Sequence, residues 1–138
     1  YVQTTRVSEK IDVFSFGVVL LELTTGKEAN YGDQHSSLSE WAWRHVLIGG
    51  NVEELLDKDV MEAIYLDEMC TVFKLGVMCT ATLPASRPSM REVLQILQSL
   101  GEPFAYGDQK NFSHYYDAIP LLKSSEKETR LDIVNDSE

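Results

Sequence analysis

Residues 11–25 read IDVFSFGVVLLELTT, and this stretch decides the fold. Nine of its fifteen residues are apolar, and they would fall on every side of a helix rather than along one stripe. A buried strand is the alternative, favoured by Val18 and Val19, but fifteen residues without a turn signal exceed ordinary strand length. Gly26 follows where helices commonly end in glycine. We therefore predict a helix buried nearly all round, with Ser8 as its N-cap.

A second helix is indicated by Ser37 and Glu40, which have the spacing of a capping box. This helix should end near Ile48, where two glycines follow. Trp41 and Trp43 are two positions apart and point roughly 200° away from each other on a helix. One indole should therefore pack inward while the other lies near a surface or a partner.

Two further helical segments precede the last one. Asn51 is positioned to cap a short helix through Leu56. Asp67 begins a stretch with apolar residues at helical spacing that continues to Thr80, and Pro84 interrupts the chain soon afterwards.

Ser89 and Glu92 form the sharpest local signal, a second capping-box pair that directly follows Arg87-Pro88. The helix that they open should end at Gly101 and turn five apolar residues inward: Val93, Leu94, Ile96, Leu97 and Leu100. With no strand-like alternation in the sequence, we expect a mainly α body of about five helices.

Charge and composition limit the function classes. The 138 residues carry 12 Lys plus Arg against 22 Asp plus Glu, a formal net charge of -10. Such a chain should repel nucleic-acid backbones and anionic membrane surfaces. Residues 101–138, with eight acidic and four basic side chains, lack helical periodicity and are expected to form a mostly disordered acidic tail.

The sequence contains no complete catalytic motif. The glycines form no phosphate-binding loop, and His35, His45 and His114 have no Cys or carboxylate at metal-ligand spacing. Cys70 and Cys79 would lie on opposite sides of one helix and so cannot pair. Two unpaired thiols fit a reducing compartment and small core residues.

Two charged residues stand out. Asp12 lies in the first turn of the apolar helix, and if that helix is central, its carboxylate must be buried and must accept hydrogen bonds. Arg87 lies in a rigid turn between Pro84 and Pro88, where either a surface arginine or a buried ion pair would fit.

Four motifs together carry a resemblance: DVFSFGVVLLEL at 12–23, TGK at 25–27, LSEW at 38–41 and RPSM at 87–90. Residues 1–100 resemble the helical C-terminal half of the large lobe of a protein kinase, with residues 101–138 as its tail. Within that superfamily the chain is most similar to plant receptor-like serine/threonine kinases of the leucine-rich-repeat type.

The resemblance implies specific residue roles. Asp12 matches the aspartate that anchors the catalytic-loop backbone and the base of the hydrophobic spine. Arg87 matches the arginine that pairs with the glutamate of an Ala-Pro-Glu motif, which would directly precede Tyr1, so Arg87 should be half of a missing pair. Glu22 falls where some kinases read basic substrate residues. The family position that follows Asp12-Val13 is often Trp or Tyr, and this chain has Phe14 there.

The family's ATP- and metal-binding motifs lie upstream of residue 1. We therefore expect no cofactor in this chain, although the complete kinase domain would use ATP and Mg²⁺ for phosphotransfer to protein hydroxyls. The expected partners are the upstream half of its own kinase domain and protein substrates or signalling partners. In the parent receptor the segment should lie on the cytoplasmic side of the plasma membrane, itself soluble and without direct membrane contact.

An alternative function stays open on the sequence alone. The chain could be a stand-alone helical interaction module that binds partners through its second helix and acidic tail. In either case the tail offers four hydroxyls as candidate phosphorylation sites: Ser124, Ser125, Thr129 and Ser137.

Overall fold

The computed structural model describes residues 2–32 and 36–101. This part of the chain is helical and contains no strand, which confirms the mainly α prediction. It has four α-helices rather than about five: α1 (Val2–Thr25), α2 (Leu38–Leu47), α3 (Leu66–Cys79) and α4 (Met90–Ser99). Short 3-10 helices connect them at Val52–Leu55, Ala63–Tyr65 and Pro84–Ser86.

Helix α1 is longer than its apolar stretch predicts. It begins at Val2, so Ser8 lies inside the helix and is not its N-cap. The predicted end is confirmed, because Gly26 has a φ of 68° and donates its N–H to the Glu22 carbonyl at 2.9 Å. A left-handed glycine thus terminates the helix.

Helices α1 and α3 cross at a pair of glycines. A Cβ atom on Gly17 would lie 2.5 Å from the Cys79 Cβ and 3.0 Å from the Gly76 carbonyl oxygen. A Cβ on Gly76 would in turn lie 3.0 Å from the Leu21 side chain. The absence of side chains at both positions lets the two backbones approach closely. The main core surrounds this crossing, and Phe73 and Leu21 are its largest fully buried side chains.

The prediction that α1 is buried all round is wrong for the described part of the chain. Ile11, Val19 and Leu23 are 55%, 46% and 68% exposed. Together with the exposed residues Asp12 and Ser15 they form one side of the helix, here called the open face of α1. The opposite side is buried against α3 and α4.

Helix α2 begins as predicted, because the Ser37 hydroxyl accepts the Glu40 N–H at 3.4 Å. The two tryptophans do not divide into one buried and one exposed ring, since both are half-buried. Trp43 donates its indole N–H to the Thr80 carbonyl at 3.2 Å. Trp41 lies on the other side of the helix, beside Tyr31, His45 and Lys27. The Asn51 cap is also confirmed, with its side chain accepting the Glu53 N–H at 3.1 Å.

Helix α4 has the complete predicted capping box. Ser89 Oγ accepts the Glu92 N–H at 3.2 Å, and the Glu92 carboxylate accepts the Ser89 N–H at 2.8 Å. Val93 packs into a cluster with Val13, Leu20, Leu75 and Cys79. Leu94 was expected to point inward but is 54% exposed. The helix itself ends at Ser99, two residues before Gly101.

Candidate functional site

Asp12 lies on the open face of α1 and is exposed, so the expectation of a buried carboxylate is not met within the described part of the chain. The helix is nevertheless central, because its opposite side forms the core. On a helix with 100° between successive residues, Val19 and Leu23 each lie about 20° from Asp12, on either side of it. The carboxylate therefore shares its face with two exposed apolar side chains.

Arg87 is half-buried and bonds to backbone carbonyls rather than to a carboxylate. Its Nε donates to the Ala81 oxygen at 2.8 Å, and its Nη1 donates to the Lys10 oxygen at 2.9 Å. A longer contact of 3.5 Å joins Nη2 to the Thr82 oxygen. Neither sequence alternative, a surface arginine or a buried ion pair, describes this arrangement. Arg87 therefore has partners within the chain, and its expected pairing with a glutamate ahead of Tyr1 stays a prediction.

Lys10 completes a reciprocal clamp. Its ammonium donates to the Arg87 carbonyl at 2.6 Å, while Arg87 bonds the Lys10 carbonyl. The guanidinium also lies over the Phe14 ring, 4.8 Å from its centroid. Partial burial lowers the pKa of Arg87, but a guanidinium stays protonated at any physiological pH. The clamp fixes the segment before α4 to the N-terminal half of α1.

Glu22 is half-buried, and its Oε1 accepts the Ala29 N–H at 2.7 Å. Ala29 in turn accepts the Leu38 N–H at 3.0 Å, next to the start of α2. One oxygen of the carboxylate is thus committed to holding the loop between α1 and α2. The proposed reading of basic substrate residues by Glu22 stays a prediction.

A cluster of aromatic and basic side chains beside α2 was missed by sequence reasoning. The ammonium of Lys27 lies 4.0 Å from the Tyr31 ring centroid and 5.4 Å from that of Trp41. Tyr31 and Trp41 meet edge to face at 5.3 Å, and His45 lies 5.0 Å from Trp41. The only sequence signal is the Trp41–His45 spacing of four, because Lys27 and Tyr31 come from the preceding loop.

The two cysteines of this part of the chain lack the features of reactive thiols, and its side chains form no metal site. Burial raises the pKa of the Cys79 thiol to about 12 and also raises that of Cys70, so both thiols stay protonated near neutral pH. Both cysteines are free, as predicted. Residues 2–32 and 36–101 contain no group of three His, Cys, Asp or Glu side chains that could hold a metal ion.

The candidate phosphorylation sites lie outside the described residues: Ser124, Ser125, Thr129 and Ser137. His35 and His114, for which the sequence predicts no metal site, also lie outside them.

No family profile matches the chain, but the sequences of individual known proteins do. MDIS1-interacting receptor like kinase 1 of Arabidopsis thaliana is 42% identical over 101 residues, covering 70% of this chain and 10% of that protein. The leucine-rich repeat receptor-like protein kinase TDR of the same plant is 38% identical over 103 residues, covering 71% of this chain and 10% of that protein. The chain is homologous to plant leucine-rich-repeat receptor-like kinases. It spans about a tenth of the length of these two relatives.

A solved structure assigns the same receptor-like kinase fold. The pseudokinase domain of BIR2, an immune regulator of the RLK/Pelle family, superimposes with a TM-score of 0.61 at 28% identity. The match covers 75% of this chain and 32% of that one. The helices of this receptor-like kinase homologue are therefore those of the helical part of a kinase domain. Within the described residues, no helix combines the length and apolarity needed to cross a bilayer.

Proposed function

We propose that the chain is the C-terminal helical part of the large lobe of a receptor-like protein serine/threonine kinase. In that role it supports the catalytic loop and contributes to the surface that faces protein substrates. Residues outside the chain bind ATP and Mg²⁺ and transfer the phosphoryl group. The parent receptor lies in the plasma membrane, with this segment on the cytoplasmic side.

The open face of α1 is the observation that carries this proposal. Its apolar residues recur along one side of α1, the helix whose opposite side forms the core. Soluble monomers rarely leave such an apolar stripe uncovered. Asp12 lies on the same face, with a carboxylate that can accept backbone N–H groups from a covering segment. An upstream kinase half would bury the stripe and bond Asp12 at the same time.

The transcript upstream of the Tyr1 codon tests the proposal directly. An in-frame continuation into a catalytic-loop Asp and Asn and an Asp-Phe-Gly motif would support it. A start codon immediately before Tyr1 would instead support the stand-alone interaction module.

Calorimetry with Mg-ATP provides a second test. The chain by itself should give no saturable heat, because the described residues contain no phosphate-binding loop. The same chain joined to the upstream half should bind the nucleotide. Micromolar ATP affinity of the chain alone would contradict the assignment of the ATP site to residues outside it.

A further inference from the structure

Three exposed apolar side chains lie in the connection that leads into α3. Val60, Ile64 and Tyr65 are 57%, 79% and 51% exposed. They fall within six consecutive residues, of which only Met61 is half-buried rather than exposed. Single exposed apolar residues are ordinary, whereas several in one short segment are typical of a contact surface. These three side chains are called the 60–65 patch below.

Both ends of this connection are fixed to the helices. Asp57 donates its N–H to the Thr24 carbonyl at 2.9 Å, which ties the start of the connection to the end of α1. The Asp57 carboxylate then accepts the Asp59 N–H at 3.0 Å. At the other end, Tyr65 donates its N–H to the Glu62 carbonyl at 3.0 Å, in the 3-10 turn that runs directly into α3. The backbone that carries the patch is therefore held in place, which lowers the entropy cost of binding.

The charge around the patch is negative. Residues 51–68 carry seven carboxylates against one ammonium, a formal net charge of -6. The carboxylates belong to Glu53, Glu54, Asp57, Asp59, Glu62, Asp67 and Glu68. The ammonium belongs to Lys58 and donates to the Glu53 carbonyl at 2.7 Å rather than to a carboxylate. No salt bridge within residues 2–32 and 36–101 joins any of the seven carboxylates to a cation.

Carboxylates from two elements come together at the start of α3. Burial raises the pKa of the Cys70 thiol; Lys74 opposes this effect, and Glu53 and Asp67 add to it. Their shared influence on one thiol places Glu53, from the 3-10 helix Val52–Leu55, near the first turn of α3. Extending the segment to include Lys74 leaves a formal net charge of -5. The local negative charge is therefore not cancelled by the neighbouring cations.

We propose that the 60–65 patch docks a basic segment of a partner protein, one in which apolar residues stand between arginines or lysines. The apolar residues pack on Ile64 and Tyr65, and the cations bond neighbouring carboxylates such as that of Glu62. The local charge and the chain's net charge of -10 act in the same direction, since both attract a cation. The same charges disfavour a second copy of the chain, a nucleic acid and an anionic membrane surface. The binding needs neither a nucleotide nor the upstream kinase half, so it is tested separately from the proposed function.

Three synthetic peptides test the proposal on the complete 138-residue chain. The probe is acetyl-Gly-Arg-Leu-Leu-Arg-Gly-amide; one control has glutamine in place of both arginines, and the other has glycine in place of both leucines. Titrations followed by ¹⁵N NMR would monitor the backbone N–H groups of Ala63 and Ile64. The probe should give saturable shifts there with a Kd of about 10⁻⁴–10⁻³ M that weaken as salt is added. Each control should bind at least about fivefold more weakly.

Several results of these titrations would overturn the proposal. Equal binding of the probe and either control would mean that charge alone or apolarity alone is recognised. Shifts confined to residues 102–138, or no saturation up to about 5 mM, would place no basic segment on the patch. Concentration-dependent shifts of the Ile64 N–H without any peptide would assign the patch to a second copy of the chain.

A matched pair of apolar variants locates the contact. Ile64→Ser removes the most exposed side chain of the patch and should weaken probe binding about fivefold. Leu83→Ser should leave binding unchanged, because Leu83 is 67% exposed but follows the opposite end of α3, a helix about 20 Å long. Both positions are exposed, so both variants should keep the dispersed spectrum of the folded chain. Equal losses for the two variants would overturn the proposal.

A pair of acidic variants tests the charge contact. Glu62→Gln should weaken probe binding about threefold, the size expected for a charge pair at an exposed site. The Glu62 side chain caps no helix, so its loss should not disturb the backbone. Glu9→Gln, at an exposed position on α1, makes the same change in net charge and should leave binding unchanged. Equal weakening by both variants would mean a general attraction to the acidic chain and would also overturn the proposal.

Discussion

The two long sides of α1 differ little in composition and greatly in surroundings. The packed side presents Val13, Gly17 and Leu21 to α3 and α4, and all three are buried. The open face presents Ile11, Val19 and Leu23, which are about half exposed or more. The apolar character of a residue therefore does not determine its burial on this helix. Neighbouring helices determine it, and they cover only one side in the described part of the chain.

The largest difference between the two sides is expected at the α1–α3 crossing. Gly17→Val should lower the free energy of unfolding by about 3 kcal/mol, because the new side chain would collide with Cys79 and with the backbone of Gly76. The matched control is Ser15→Val on the open face, which should stay within about 0.5 kcal/mol. Urea midpoints measure both, and similar midpoints would remove the distinction between the sides.

The Arg87 clamp should give the next largest effect. Arg87→Ala removes charged hydrogen bonds to the carbonyls of Ala81 and Lys10 and should cost about 2 kcal/mol. Arg91→Ala provides the control for loss of a cation, with an expected change below about 0.5 kcal/mol. If the two substitutions had equal effects on thermal unfolding, Arg87 would have no structural role within this chain, and only its expected partner outside the chain would remain.

The capping box of α4 should contribute less. Ser89→Ala removes the acceptor of the Glu92 N–H and should cost about 1 kcal/mol. Ser86→Ala, at an exposed serine outside any cap, should change stability by less than about 0.3 kcal/mol. Denaturation followed by circular dichroism can resolve the two. A neutral Ser89→Ala would mean that packing of Val93 alone holds the start of α4.

Substitutions on the open face should have the smallest effects on stability, and one of them should clearly change the binding of a hydrophobic dye. Leu23→Lys and Asp12→Asn should each change the free energy of unfolding by less than about 0.5 kcal/mol, because both positions are exposed. Leu23→Lys should also reduce binding of a hydrophobic dye, while Asp12→Asn should not.

Joining the chain to its upstream kinase half would test whether the open face of α1 becomes buried like the packed side. Asp12→Asn should then cost about 3 kcal/mol or more, since a buried, multiply bonded carboxylate would be lost. An unchanged small effect in the joined protein would argue against burial of the open face.

Signals that act over three or four residues were predicted well. The Ser37 and Ser89 caps are present, as is the left-handed Gly26 that ends α1. Each depends on a hydrogen bond or a backbone angle within one helical turn, so the local sequence contains the whole interaction. The Ser8 cap failed for a related reason: helix formation continues through a residue that favours helix ends when the preceding residues can also be helical.

Signals that depend on distant neighbours were predicted less well. Leu94 and the three apolar residues of the open face are as hydrophobic as core residues, yet nothing in the described part of the chain covers them. The bonds of Arg87 to the Lys10 carbonyl and the contact of Lys27 with Trp41 join residues far apart in sequence. Spacing along the chain carries no information about such pairs.

The sequence by itself determined that the chain is helical, where its capped helices begin and which family it resembles. Helical periodicity, caps and motifs each depend on residues that are close together in the sequence. Only the tertiary structure decided which side of α1 is packed, that Arg87 is held by carbonyls, and that aromatic and basic side chains form a cluster beside α2. The physical reason is that burial and long-range contacts belong to pairs of elements, whereas periodicity and capping belong to one.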